Sequence, residues 1–222
     1  MSQMVWSDVD DYIVDNLIPH DPVLEAVLKA NREAKLPQID VSAAQGKFLN
    51  LLVRIANARL VLEIGTLGGY SSIWMARGLP AGGRLITLEA DLLHATVARD
   101  NIMLAGLSER IEVRLGRAID TLPQIYAEGL YPFDLIFIDA DKPSNAAYLD
   151  WAMRLARPGT VIVLDNVIRN GSVTDSRSSD ASVRGSRDAF EMMKGTSRLS
   201  ATALQTVGAK GYDGLAIGIV GD

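Results

Sequence analysis

The chain has no cysteine among its 222 residues. That absence excludes disulfide frameworks, thiolate zinc sites, iron–sulfur clusters and cysteine nucleophiles together, and it leaves the redox compartment open. Basic charge is also short: 22 Lys+Arg face 27 Asp+Glu, a net charge of −5. That is the wrong sign for a general nucleic-acid binder. Before Lys29 there is no Lys or Arg, whereas Asp8, Asp10, Asp11, Asp15, Asp21 and Glu25 precede it. A secretory signal needs a positive start and an apolar run, so none is expected. Long apolar runs are missing as well. The longest uncharged stretch, Ile64 to Ala76, has thirteen residues and three glycines, too short and too broken to span a bilayer. What remains is ordinary for a soluble globular protein, 48% hydrophobic and 22% charged. The expectation is a cytoplasmic protein without nucleic-acid or membrane partners.

The length suits one α/β domain, and a chain of this size buries roughly 70% of its unfolded surface without needing staples. Residues 1–40 look like a helical arm ahead of a core over 41–222. Val9, Tyr12, Ile13 and Leu17 fall near helical spacing, Pro19 and Pro22 break that segment from Val23–Ala34, and Ser42 is a plausible N-cap for a third helix. Beyond residue 59, short apolar runs alternate with helical stretches: Leu60–Ile64, Arg84–Leu88, Ile111–Arg114, Phe133–Ile138 and Thr160–Leu164. Spacers long enough for crossover helices imply parallel strands with helices on both faces. Two last runs, Thr202–Val207 and Leu215–Val220, stand too close for a crossover and predict an antiparallel hairpin. The Ser-, Gly-, Asp- and Arg-rich stretch 167–187 is the one candidate mobile loop, and its serines read as solubilising.

In such a sheet, ligands bind beyond the carboxyl ends of the strands. The first strand runs into Gly65-Thr66-Leu67-Gly68-Gly69-Tyr70-Ser71-Ser72, whose glycines permit a tight turn and close backbone approach. A dinucleotide fingerprint would need glycine at 65, 67 and 70, and Leu67 and Tyr70 break it. Glu63 disfavours a pyrophosphate and suits a cation, while Glu89 at the second strand's end suits ribose hydroxyls. A positively charged nucleoside without phosphate, S-adenosylmethionine, fits these features best. Further acids end the next strands: Asp139 in Asp139-Ala140-Asp141-Lys142, then Asp165 with Asn166. Three oxygen donors without His or Cys suit a hard cation such as Mg²⁺. Aspartate N-caps would explain any one of these acids singly.

Six segments then resemble one family in the right order: VLEIGTLGGYSS, LITLEAD, GRAIDTLP, FDLIFIDADK, PGTVIVLDNV and TVGAKGYDG. The chain resembles the cation-dependent O-methyltransferases, the catechol and caffeoyl-CoA type in its bacterial branch, over roughly residues 40–220. The resemblance implies a Rossmann-like, seven-stranded, mostly parallel sheet with one antiparallel strand. It implies a cofactor pocket lined by Val41, Glu63, Gly65, Thr66, Ser71, Glu89, Ala118 and Asp139, with Asp141 a less regular member. It implies metal ligation by Asp139, Asp165 and Asn166, a catalytic lysine at Lys142, and substrate contact at Lys142 and Asn170. Mg²⁺ is the expected cation, with Mn²⁺ or Ca²⁺ as substitutes.

Chemically, methyl transfer to a phenol needs the oxygen held about 3 Å from the methyl carbon. A metal bound by two adjacent hydroxyls favours the phenolate and fixes its aim. Lys142 is then either the general base or a charge that stabilises the phenolate, and the residues leave both open. His20 and His94 read as structural or surface residues, and Trp74 and Trp151 as core or pocket wall. Two other classes compete, a nicotinamide oxidoreductase and a non-catalytic cofactor-binding module. The expected acceptor is a free catechol or a small catechol acid or ester, with a coenzyme A thioester as the alternative. Arg169, Arg177, Arg184 and Arg187 in the 167–187 stretch leave a modest anionic preference open. Apolar side chains at Tyr12, Ile13, Leu17, Leu24, Val27 and Leu28 suggest a homodimer built through the arm.

Overall fold

A computed structural model describes residues 3–222. Three helices come first: α1 (Gln3–Leu17), α2 (Pro22–Glu33) and α3 (Ala43–Ile55). The alternating part follows as β1 (Leu60–Ile64), α4 (Tyr70–Gly78), β2 (Arg84–Glu89), α5 (Leu92–Leu104), β3 (Ile111–Leu115), α6 (Ala118–Ala127) and β4 (Phe133–Ile138). Then come α7 (Asn145–Leu155), β5 (Ala156–Asp165), α8 (Ala181–Gly195), β6 (Leu199–Gly208) and β7 (Gly211–Val220). The seven strands form one sheet in the order β3-β2-β1-β4-β5-β7-β6. β7 runs antiparallel to both neighbours, and β1 to β5 are mutually parallel. This is the Rossmann-like arrangement expected from the sequence.

The central strands are apolar on both faces because helices cover both faces. With a side-chain period of two, β1 sends Leu62 and Ile64 to one side, where they pack with Ile136, Ile162, Leu122 and Leu149 under α6, α7 and α8. It sends Val61 to the other, against Leu85, Leu135, Val163, Val27 and Val53. The chain proceeds outward from β1 to β3 and returns at β4, so the topological switch lies between β1 and β4. There Asp139 N–H donates to Ile64 O at 2.8 Å, while on the other side of β1 Gly65 N–H donates to Leu88 O of β2 at 3.0 Å.

Several expectations change. The hairpin strands are longer than the apolar runs, and pairing extends to Gly208 and Gly211 across a two-residue turn, Ala209-Lys210. β5 starts at Ala156 rather than Thr160 because Ala156 already pairs with Phe133. The register then shifts before Val161 pairs with Leu135, and Thr160 Oγ1 bridges the shift, accepting from Arg157 N–H at 2.9 Å and donating to Phe133 O at 2.6 Å. The stretch 167–187 is only partly loop. Asp180 caps α8, accepting from Ser182 N–H at 2.7 Å and Val183 N–H at 3.1 Å. Val183, Ser186, Ala189 and Met193 form the helix's buried face, so Ser186 is not a solubilising residue. In the arm, α2 buries Leu24 and Val27 in the chain's own core, which removes two of the six side chains expected to meet a second copy. α1 lies on the β6–β7 hairpin through Gln3 Nε2, which donates to Gly208 O at 2.8 Å, and Asp10, which accepts from Ala209 N–H at 2.7 Å. Among the described residues, no helix is long and apolar enough to cross a membrane.

Candidate active site

A cleft of about 680 Å³ opens at the carboxyl ends of β1, β2, β4 and β5. Its floor is the turn from β1 into α4. Gly65 has φ +101°, and a Cβ there would lie 2.2 Å from Asp139 O, so only glycine lets the turn press against β4. Glu89 secures the same turn: Oε2 accepts from Leu67 N–H at 2.8 Å and Thr66 N–H at 3.2 Å, and Oε1 from Asp91 N–H at 3.0 Å. A carboxylate has about four acceptor positions, so Glu89 keeps capacity toward the cleft. Glu63 lies deeper than expected. It is fully buried, does not line the cleft, and accepts from the hydroxyls of Ser71 and Ser72. Burial pushes its carboxyl up to about 7, against the opposing effect of those hydroxyls. Its influence on a ligand therefore passes through Ser71, which does face the cleft.

Opposite the turn stands the acidic edge of β4 and β5. Lys142, only 8% exposed, donates from Nζ to Asp139 Oδ1 at 2.7 Å. The backbone of α8 closes over this lysine, since a Cβ on Gly185 would lie 2.1 Å from Lys142 O. Asp165 is 5% exposed; Oδ1 accepts from Asn166 N–H at 2.8 Å and Oδ2 from Gln45 Nε2 at 2.6 Å. Burial first, then the charge of Asp139, pushes the Asp165 carboxyl above the ordinary carboxylate range. A buried carboxyl raised in part by a neighbouring carboxylate marks a site with net demand for positive charge. Among the described residues, no three His, Cys, Asp or Glu side chains cluster as a metal cage. The donor set here is two carboxylates and one amide, all oxygen, which fits a hard divalent cation that keeps several waters.

The structure brings most of the sequence-derived residues to one cleft. Val41, Gly65, Thr66, Ser71, Glu89 and Ala118 line it, as do Asp139, Asp141, Lys142 and Asn166 on the wall at β4 and β5. Asp165 lies just beneath that wall, and Asn170 is exposed and outside the lining. Asp141 is held by Tyr148 and by Ser144, whose Oγ donates at 2.5 Å. Burial and the contact with Asp141 push the Tyr148 hydroxyl up to about 12, so it remains a donor.

The comparisons with known proteins agree with this geometry. The O-methyltransferase family model matches residues 16–208. A protein named catechol O-methyltransferase from Mycobacterium tuberculosis is 54% identical, covering 96% of this chain and 95% of its own length. Another of that name, from Niastella koreensis, is 52% identical over 99% of this chain and 100% of its own. The crystal structure of an O-methyltransferase from Bacillus cereus in complex with SAH matches with a TM-score of 0.98 at 57% identity, covering 99% of this chain and 100% of that one. The chain belongs to the O-methyltransferase family.

Within this O-methyltransferase, several cleft residues escaped the sequence reading. His94 is not a bland surface residue: it lines the cleft, with Nδ1 3.6 Å from Glu89 Oε1. Its place one turn into α5 follows from the Asp91 cap, which accepts from Leu93 and His94 N–H. Asp40 also faces the cleft, and burial raises its carboxyl although Asn31 Nδ2 donates to it at 2.8 Å. Arg117 lines the wall as well, and of the four arginines noted in the 167–187 stretch Arg169 is the one that lines it. For the residues missed, only the Asp91 cap was legible in the sequence, as an acid just before a helical stretch.

Proposed function

We propose that this O-methyltransferase moves a methyl group from S-adenosylmethionine to one hydroxyl of a small catechol, with a divalent cation, Mg²⁺ in the first instance, as cofactor. The observation that carries the reading is the Lys142–Asp139 pair at 2.7 Å beside buried Asp165, facing the Gly65 turn across one cleft. Glu89 would receive the ribose hydroxyls, and the Gly65–Thr66 backbone would let the sulfonium end approach β4. Asp139, Asp165 and Asn166 would hold the cation, which supplies Lewis acidity that favours the catecholate. Lys142, enclosed by α8, has its Nζ held by Asp139 at the edge where the acceptor oxygen would lie. There it takes the phenol proton or offsets the phenolate charge. The transfer forms one C–O bond, breaks one C–S bond, and leaves a neutral thioether. Groups on both walls of the one cleft would hold the methyl donor and the acceptor for an in-line approach.

The acceptor is proposed as a free catechol rather than a coenzyme A thioester, because several phosphates would need a basic mouth. The cleft lining offers no such cluster: Asp40, Glu89, Asp139 and Asp141 stand against Arg117, Lys142 and Arg169. We further propose a cytoplasmic homodimer, for which the exposed apolar side chains of α1 offer a surface. Calorimetric titration with S-adenosylmethionine, followed by a methyl-transfer assay on catechol and phenol with and without EDTA, tests it. Binding, turnover of catechol alone, and loss of turnover in EDTA with recovery in Mg²⁺ are expected. Full turnover in a chelated, metal-free preparation would reject the cation, and equal rates on phenol would reject the catechol.

A further inference from the structure

The loop leaving β5 carries strain. Asn166, Arg169 and Asn170 all adopt left-handed backbone, with φ of +53°, +55° and +54°. Side-chain-bearing residues occupy that region at a cost and persist only where surrounding contacts impose it. Asp213 on β7 imposes it here, its Oδ1 accepting from both Ile168 N–H and Arg169 N–H at 2.9 Å. Val167 N–H adds a bond to Gly214 O at 3.0 Å. The result aims the Arg169 side chain at the cleft, three residues beyond Asn166.

That guanidinium is under-used. Its Nε is enclosed and has no hydrogen-bond partner among the described residues. Its nearest carboxylate oxygen, Asp213 Oδ2, stands 3.8 Å from Nη1, beyond hydrogen-bond distance. Asp180 also lies in its electrostatic reach, but its Oδ1 is committed to capping α8. The other cations on the cleft are placed differently. Lys142 is bound to Asp139, and Arg117, highly exposed near Asp120, belongs to the cofactor side beside Ala118. An enclosed N–H without a partner costs free energy that a ligand's acceptor would relieve. The planar guanidinium suits one ligand chemistry above others, a carboxylate taken by two parallel N–H donors.

We propose that Arg169 is a specificity-determining residue that receives a carboxylate carried by the acceptor, so that catechol acids are preferred over neutral catechols. This rests on the catechol reading above and narrows it. The diol occupies the Asp139–Asn166 end, and the substituent on the far side of the ring meets Arg169. One carboxylate matches one guanidinium, whereas the several phosphates of a thioester would not.

The test compares 3,4-dihydroxybenzoate with its uncharged amide as acceptors for the wild type, Arg169→Gln and Arg169→Lys, each checked for Tm and for S-adenosylmethionine affinity. The wild type should favour the acid at least tenfold in kcat/KM, a result that needs no variant. Arg169→Gln should raise KM for the acid about tenfold or more, leave its kcat nearly unchanged, and leave both constants for the amide within twofold. Arg169→Lys should keep part of the preference. Equal treatment of acid and amide by the wild type overturns the proposal while leaving the catechol reading standing. Parallel losses on both acceptors in Arg169→Gln would assign the residue to the Asp213 contact alone and also overturn it. A wild type that binds the cofactor and methylates neither acceptor overturns the catechol reading, and this inference with it.

Discussion

Gln45 Nε2 donates to Asp165 Oδ2 at 2.6 Å, joining the first turn of α3 to the end of β5. The contact is prepared locally. Ser42 Oγ accepts from Gln45 N–H at 3.1 Å, fixing the start of α3 just after Val41, which lines the cleft. Asp165 thus has one oxygen oriented by its neighbour's amide and the other by a side chain 120 residues away.

A partner that orients a ligating carboxylate is typically worth about 10–100-fold in metal affinity. Gln45→Leu removes the donor with little change in bulk. We expect Mn²⁺ affinity, read by calorimetry or by the free-ion paramagnetic resonance signal, to fall within that range. Unchanged metal affinity in a folded variant would assign Gln45 to packing only.

Glu89 carries two duties in the structure. It retains acceptor capacity toward the cleft, and it holds the Thr66 and Leu67 amides that shape the Gly65 turn. Hydrogen bonds to charged groups contribute about 1.5–3 kcal/mol each. Glu89→Ala should therefore weaken S-adenosylmethionine binding by more than about tenfold, a change of about 1.4 kcal/mol. Calorimetry returning the wild-type affinity would remove Glu89 from the cofactor site.

The buried carboxyl of Glu63 makes stability depend on pH in an unusual direction. Its folded value is raised from 4.5 to about 7, so the folded state holds the proton more tightly than the unfolded chain. Its contribution to stability is then fully present below pH about 4.5 and is lost as pH rises through about 7. Glu63→Gln keeps the shape and removes the titration. In the apoprotein, the Tm of Glu63→Gln relative to wild type should rise between pH 5 and pH 8, ending above its value at pH 5. A pH-independent difference would show that the carboxyl ionises in the folded state as easily as in solution.

What was legible in the sequence follows from which signals are local. The strands and the Gly65 turn declared themselves because a buried parallel strand is a continuous apolar run ended by a turn. Asp139, Asp165 and Asn166 were legible because strand ends locate an α/β site. α8 was hidden in part by composition: Ser, Gly and Arg dominate its start, although Val183, Ala189 and Met193 are buried on one side and Asp180 caps it. Gln45 gave no signal at all, since its partner is fixed only when α3 packs across the sheet. Glu63 lies deeper than the pocket-lining place the resemblance implied, because position at a strand end says nothing of how far the next helix covers it.

The last prediction concerns α1. Among its described residues none is buried, and Tyr12 and Leu17 are each 69% exposed, with Met4 and Val9 also open to solvent. It meets the rest of the chain through half-buried Trp6, Ile13 and Val14 and through Gln3 and Asp10 on the β6–β7 hairpin. The apolar side chains left open on its outer face favour a second surface, and the proposed homodimer supplies one. Since α2 already buries Leu24 and Val27 internally, the dimer should depend on α1 alone within the arm. Removal of residues 1–18 should convert a dimer to a monomer in light scattering while the core retains its cofactor affinity. A full-length chain that scatters as a monomer at assay concentration would reject the dimer, and a truncated chain that still dimerises would move the interface elsewhere.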